Sequence, residues 1–252
     1  QELGLDTPKV MWVSRFPDGE IAEGDESQVE VRVAASFSGD PALLEIFRLG
    51  GDIHRATAAA VWNKPPDQVT EHERFKAKRI VFGIQYGAQS GKIASLIEGS
   101  EQEAQDFLDK YMARFPGVVR WMEAQQRLAC EQGFVRTATG QKRRLPLALG
   151  KSIHTEDPKV QGALRQAINS PVQGTASHIC LLAIRYLDEI FQARRLKSVI
   201  ISHVYDSIII DIHPTERKVI PKIVHRVMSG LQFPWMHVPL EVEVKVGPSW
   251  GE

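Results

Sequence analysis

The chain has 252 residues, 43% hydrophobic and 25% charged, enough to bury a substantial core as one large or two modest domains. Its 31 basic and 31 acidic residues cancel, so bulk charge gives no support for a nucleic-acid partner and leaves only local positive surface to serve one. Two cysteines, Cys130 and Cys180, exclude a disulfide framework or zinc-ligand cluster and read as free thiols in a reducing compartment, while no apolar run approaches the ~20 residues that span a bilayer.

Residues 8–35 read as strands: Val10 to Phe16, a Pro17-Asp18-Gly19 turn, Ile21, then the alternating Val29, Val31 and Val33. From Asp40-Pro41 the period becomes helical through Leu43, Leu44, Ile46, Phe47 and Leu49, ended by Gly50-Gly51. A second helix is expected over Ile53–Trp62, stopped by Pro65-Pro66. Thr70-Glu71-His72-Glu73 is a capping box that starts a helix running to about Gln85. Helices over Ser100–Phe115 and Val118–Glu131 follow, separated by Pro116-Gly117. Gly133 to Thr137 reads as a strand, Thr139-Gly140-Gln141 as a turn and 148–160 as a loop. A long helix is expected over Thr175–Arg194, the clearest strand region over Val199–Ile212, and an alternating strand over Val238–Val246. Strands at both ends around a helical middle predict an α+β sheet domain carrying a helical insertion. There is no secretory pattern at the start, and Gln1 in place of Met reads as a native N-terminus lying elsewhere.

Chemistry concentrates in three strings. Asp25, in Gly24-Asp25-Glu26-Ser27-Gln28-Val29-Glu30-Val31, and Asp206, in His203-Val204-Tyr205-Asp206-Ser207-Ile208, each sit where a polar stretch meets a β-type run. Were their strands neighbours, the two carboxylates could hold divalent cations; a lone aspartate there more often just ends a strand. Arg74, Lys78 and Phe82 follow at i, i+4 and i+8, with Tyr86 four residues on, so they share a helix face that drifts by about 40° per step. Two cations one turn apart suit a triphosphate, and aromatics beyond them suit a sugar and base. The plainer alternative is a solvated cationic face with core aromatics. Arg165-Gln166-Ala167-Ile168-Asn169-Ser170-Pro171-Val172-Gln173-Gly174 reads on its own as capping and polar surface, and Lys142-Arg143-Arg144 as a sequence-independent phosphate contact. Asp211 and Glu243 read as solvated strand positions.

The Asp25, Arg74–Tyr86 and Asp206 strings resemble motifs A, B and C of the family A DNA polymerases, typified by bacterial DNA polymerase I, and the resemblance covers nearly the whole chain. Gly247-Pro248-Ser249-Trp250 also resembles the family's C-terminal Gly-x-x-Trp. The resemblance implies an antiparallel palm sheet with a mostly helical fingers insertion: palm over 1–44, fingers over 45–155, palm again over 156–252, with the thumb outside this chain. It implies DNA-templated addition of dNTPs to a primer 3′ end with two Mg²⁺ ions, Mn²⁺ able to substitute. Asp25 and Asp206 would bind metal, with the Glu26 backbone carbonyl as a further ligand. Glu30 would be the steric gate against ribonucleotides. Gln28, His54, Arg74, Lys78, Phe82 and Tyr86 would complete the nucleotide site, with Lys78 also a candidate general acid. Phenylalanine at 82 implies discrimination against dideoxynucleotides. Arg165, Asn169 and Gln173 would read the primer–template minor groove, where acceptors lie alike in all Watson–Crick pairs, with Tyr205, Arg143 and Arg144 as further DNA contacts.

The sequence departs from the family pattern at Glu26 (usually Tyr), Tyr205 (commonly His) and Ser207 (commonly Glu). The resemblance further implies a thumb-bearing segment or chain as partner, no membrane, and a cytoplasmic setting, in a bacterial host if phage-encoded. Two other readings stand beside it. A polymerase-derived module that holds nucleic acid or a replication partner without turnover is favoured by Ser207 and the missing thumb, and opposed by the retained aspartates, Arg74, Lys78, Asn169 and Gln173; a metal-dependent nuclease would also use paired carboxylates but has no use for the cationic stripe.

Overall fold

The computed structural model describes residues 8–88, 90–97 and 99–250, so the reading of Gln1 lies outside the described residues. The chain opens with strand β1 (Glu20–Glu26) and helices α1 (Val29–Ser38), α2 (Pro41–Arg48), α3 (Ile53–Trp62), α4 (Glu71–Gln85), α5 (Ser90–Ile97), α6 (Glu101–Arg114) and α7 (Pro116–Gln132). A hairpin of β2 (Phe134–Arg136) and β3 (Lys142–Arg144) leads to α8 (Pro158–Ala193), then β4 (Val199–Val204), β5 (Ser207–Ile212), α9 (Ile220–Ser229) and β6 (Val242–Gly247). Two compact units result: a sheet unit (up to Glu30, Ala176–Phe233 and from Pro239) and a helical unit (Val31–Thr175 and Pro234–Val238). No described helix is long and apolar enough to cross a membrane.

In the sheet unit the strands run antiparallel in the order β4-β5-β1-β6. β5 is buried along its whole length. The second half of α8 and all of α9 pack on the sheet through Cys180, Ala183, Leu187, Val224 and Met228 against Ala22, Ile208 and Ile210. α9 approaches so closely that a Cβ at Gly24 would lie 2.6 Å from Val224 Cγ1, so only glycine fits the strand there.

The helical unit is built on local stop and start signals. Asp40 and Asp52 cap α2 and α3, each accepting from two amides of its helix. Asp40, itself buried, also accepts from the Gly117 amide at 2.7 Å, tying the start of α2 to the start of α7. Complete capping boxes begin α4 at Thr70/Glu73 and α6 at Ser100/Glu103. α4 turns Ala77, Ile80, Val81 and Ile84 into the core at i, i+3, i+4 and i+7.

Several sequence expectations are corrected. Val10–Phe16 is a 3-10 turn (Pro8–Met11) followed by an isolated bridge from Val13 to Ser249, not a strand. The Val29-Val31-Val33 alternation lies in α1, where every residue from Val31 to Ser36 is buried; a helix buried all round loses the 3.6 period that would distinguish it. Asp25 therefore sits near the end of β1 rather than opening a β run. α8 starts at Pro158, far ahead of Thr175, and carries Pro171 within it; a proline costs a helix one backbone bond but need not end it. α5, β3 and α9 were not anticipated. Asp211 is buried, not solvated: it accepts from Ser14 Oγ at 2.6 Å and Arg15 Nε at 2.9 Å, because the segment before β1 folds over it. Glu243 is exposed and pairs with Lys245.

Candidate functional site

The acids gather where β1 ends beside the β4–β5 turn. Asp25 lies opposite Ser207 on one side and Glu243 on the other, and Ser207 Oγ donates to Asp25 Oδ1 at 2.7 Å. Tyr205 and Asp206 make the two-residue turn, Tyr205 with φ 56° and 90% exposed. The Glu26 amide donates to the Asp206 carbonyl at 3.2 Å, so the two chain segments stay paired one step past the ladder. A cleft of about 410 Å³ opens here, lined by Lys9, Glu23, Asp25, Tyr205, Asp206 and Ser207 among others.

The Glu26 side chain is 1% exposed, and neither carboxylate oxygen has a hydrogen-bond partner. Burial, then the Asp206 and Asp25 charges, push its pKa up to about 8. Burial, with Glu26 and the same aspartates, pushes the Cys180 thiol on α8 up to about 12, so that cysteine is an inert core residue. Among the described residues no three His, Cys, Asp or Glu side chains are grouped to hold a metal. The Asp25 and Asp206 carboxylates nevertheless line this one cleft as hard oxygen donors, which fits Mg²⁺: that ion is typically held by one or two carboxylates, with waters and substrate phosphates filling the rest. Nearby Gln28 has φ 56° and a buried, unpartnered Oε1. Glu30 lies in the first turn of α1.

The helical unit carries the cationic stripe. Arg74 Nε donates to Asp52 Oδ2 at 2.6 Å, and Asp52 caps α3 through the His54 and Arg55 amides. Burial alone would raise the Asp52 carboxyl; the Arg55 amide and Arg74 more than offset that and hold it below the usual carboxylate range. His54 is 1% exposed with both ring nitrogens unpartnered. Burial lowers its pKa to about 4, with Lys78 and Arg74 adding and Asp52 opposing. Its ring packs on Phe82 at 5.8 Å, and Lys78 Nζ lies 6.0 Å from the Phe82 ring centre. Phe82 and Tyr86 stack at 6.4 Å and 19°. The structure thus brings His54, Arg74, Lys78, Phe82 and Tyr86 together.

At the end of α4 Gly87 takes φ 67°. Its amide donates to Ile84 O and the Ala88 amide to Gly83 O, both at 2.8 Å, the pattern of a Schellman cap. A cleft of about 770 Å³ lies beside it, lined by Phe75, Lys78, Arg79, Phe82, Tyr86 and Arg165 among others. Arg165, Asn169 and Gln173 step by four along α8, off the stripe of Val160, Ala163, Leu164 and Ala167 that faces the core. Gln173 Nε2 donates to Tyr86 Oη at 2.9 Å, and Asn169 Oδ1 is buried without a partner. Arg143 and Arg144 are exposed on β3, Arg143 donating to Gln166 Oε1 at 2.7 Å. Sequence reasoning missed Asp52 as the partner of Arg74 and Ser207 as the partner of Asp25. The aspartate before Ile53-His54 was a visible N-cap signal; the Ser207 contact depends on strand register and had none.

The profile of DNA polymerase family A matches residues 9–252. This chain belongs to the family A DNA polymerases. It is 37% identical over 238 residues to DNA polymerase I of Pseudomonas aeruginosa, covering 94% of this chain and 25% of that protein. The corresponding enzyme of Lactococcus lactis subsp. lactis is 35% identical over 237 residues, covering 93% and 26%. The chain therefore spans about a quarter of the length of these relatives. A solved structure of the POL domain of Pol1 from M. smegmatis, in complex with DNA primer-template and dNTP, superposes with a TM-score of 0.86 at 29% identity, covering 96% of this chain and 41% of that one. The mixed α+β architecture with a four-stranded antiparallel sheet matches that domain.

Proposed function

We propose that this family A polymerase chain is a catalytic core that adds dNTPs to the 3′ end of a primer paired to a DNA template. The observation that carries the reading is the sheet register, which sets Asp25 beside the Tyr205-Asp206 turn so that both family aspartates stand at one end of neighbouring strands. Support comes from a structural neighbour that was solved with primer-template and dNTP.

In this reading Asp25, Asp206 and the Glu26 carbonyl hold two magnesium ions, which when bound supply activation of the 3′-hydroxyl and stabilisation of the leaving charge. The chain's own residues do the rest. Arg74 and Lys78 neutralise the triphosphate, with Asp52 holding Arg74 in place. His54 stays neutral and offers an unpartnered nitrogen to a phosphate oxygen. Phe82 packs on the sugar, Glu30 crowds the 2′-position, and Gln28 binds the nucleotide. As the 3′-oxygen bonds to the α-phosphorus and the bond to pyrophosphate breaks, Lys78 gives a proton to the leaving oxygen. Tyr86, held by Gln173, sits by the templating base. Arg165, Asn169 and Gln173 follow the minor groove, and Arg143, Arg144 and Tyr205 contact the strands. A thumb-bearing segment or chain completes the grip on DNA, and the palm and fingers correspond to 1–44 with 156–252, and to 45–155.

Primer extension with Mg²⁺ and dNTPs tests this, using the chain alone, the chain with any co-purifying polypeptide, and Asp206→Ala. Extension abolished by the substitution is expected. DNA binding with no extension under any condition would favour the binding module.

A further inference from the structure

The basic and acidic residues of the chain cancel overall but not locally. Between Glu131 and Glu156 there is no aspartate or glutamate, while Arg136, Lys142, Arg143, Arg144 and Lys151 all fall in that stretch. Most of this charge is on the β2–β3 hairpin, whose register sorts it onto two faces. Phe134 lies opposite Arg144 and Arg136 opposite Lys142, so these four side chains share one face. Val135 and Arg143 take the other, where Val135 is buried and Arg143 is held by Gln166 of α8.

The arrangement on the first face is unfavourable by itself. Arg136 and Lys142 are like charges directly across a ladder, a destabilising pair. Among the described residues neither they nor Arg144 forms an ion pair. What holds two of the cations is an aromatic ring: Lys142 Nζ lies 4.6 Å from the centre of the Phe134 ring, and the Arg136 guanidinium 5.2 Å from it. A run of cations is ordinarily a solvated face with acids interspersed. Here the charges are exposed, held in place and without counter-charge. The hairpin itself is anchored to α8. The Ala138 amide donates to Thr175 Oγ1 at 3.0 Å, and a Cβ at Gly174 would lie 2.6 Å from Thr137 Cγ2. With Arg143 on Gln166 at the other end, the hairpin runs along the stretch of α8 that carries Asn169 and Gln173.

Resting on the polymerase reading above, we propose that Arg136, Lys142 and Arg144 form a sequence-independent rail for the sugar-phosphate backbone of the primer-template duplex, with Phe134 as the positioning residue that holds two of its cations. Cations bind a polyanion by releasing its condensed counterions, so their contribution is read in the salt dependence of binding.

The test is fluorescence anisotropy of the chain with a labelled primer-template duplex between about 50 and 200 mM salt. It compares wild type, Lys142→Gln, the triple variant Arg136→Gln/Lys142→Gln/Arg144→Gln, Phe134→Leu and Phe134→Tyr, each checked for folding by circular dichroism. Lys222→Gln, on α9, serves as an exposed cation elsewhere. Each cation that meets a phosphate contributes about −0.9 to the slope of log K against log salt. Over this range wild type is therefore expected to lose about 3.5-fold more affinity than Lys142→Gln, and about 40-fold more than the triple variant, alike on unrelated duplex sequences. Phe134→Leu is expected to bind about two- to fivefold more weakly than wild type, and Phe134→Tyr to restore binding. An unchanged slope in the triple variant overturns the rail, as does an equal change in Lys222→Gln, which would make it an effect of net charge. A change seen with single-stranded template but not with the duplex overturns the assignment to duplex. Phe134→Leu binding as wild type does, or Phe134→Tyr binding no better than Phe134→Leu, removes the role of the ring. Primer extension by wild type decides the polymerase reading separately, so the rail can fail while that reading stands; wild type that binds no duplex at any salt removes both.

Discussion

Replacing Gly87 with alanine should cost stability twice over, through two separable causes. Gly87 has φ 67°, where an L side chain pays about 1–2 kcal/mol. A Cβ there would also lie 2.7 Å from Arg165 Cγ and 3.5 Å from Arg165 Cβ. The first distance is about 0.8 Å inside normal carbon contact, and because the clash is near the stem of the arginine, its end cannot simply swing away. Overpacking of this kind costs about 1–3 kcal/mol. The sum of about 2–5 kcal/mol is a large part of the 5–15 kcal/mol that holds a typical domain together. Urea denaturation should show the loss. Gly87→Asn should recover much of the backbone part, since asparagine tolerates the left-handed region, and keep the clash. Arg165→Ala should remove the clash and keep the backbone part, giving a coupling of about 1 kcal/mol or more in a double-mutant cycle. Because Arg165 is proposed to meet the minor groove, Gly87→Ala should also weaken primer-template binding in fluorescence anisotropy at fixed salt. A loss below about 0.5 kcal/mol, or no coupling between the two positions, would refute the reasoning.

Thr70→Ala removes the side-chain half of the α4 capping box and should cost about 1 kcal/mol in equilibrium unfolding, with Thr70→Ser nearly neutral. Asp211→Ala strips Ser14 and Arg15 of their shared acceptor and should cost about 2–3 kcal/mol, read as a lowered urea midpoint. His54 stays neutral in the fold down to about pH 4 against an ordinary value of 6.5. The unfolded chain therefore binds the proton first, and stability present above pH 6.5 is lost as pH falls towards 4, by about 1.4 kcal/mol per unit. Against wild type, His54→Phe should flatten the fall in denaturation midpoint between pH 6.5 and 4.5; an identical slope would remove His54 as its cause. Phe82→Tyr should raise ddNTP use relative to dNTP in a competition assay, and efficient ddNTP incorporation by the unchanged chain would count against placing Phe82 on the sugar.

What could be read from the sequence is what depends on one element at a time. Asp40 and the Thr70/Glu73 box announced their helix starts because a cap is satisfied within three residues. The Arg74–Lys78–Phe82 stripe was legible because helical spacing alone puts those side chains on one face, away from Ile80. The failures share a cause in contacts made by distant segments. α1 looked like a strand because burial on every side erased its period, and α8 runs through Pro171 where Ile168, Val172 and Thr175 are buried. Asp211 looked solvated because the segment that covers it lies nearly two hundred residues earlier.

The candidate site divides along the same line. Each aspartate was identifiable from its own string, yet what surrounds them was not. That Ser207 donates to Asp25, and that Glu26 is buried opposite Asp206, follows only from β1 pairing with β5 in one register. A shift of one residue would turn Asp25 and Ser207 to the other face and break both relations. The substitutions at 26 and 207, read singly, look like two weakened motif positions. Read across the ladder, Ser207 is a hydrogen-bond donor to Asp25, and Glu243 pairs with Asp25 from the other side, so an acid stays beside that aspartate although position 207 carries none.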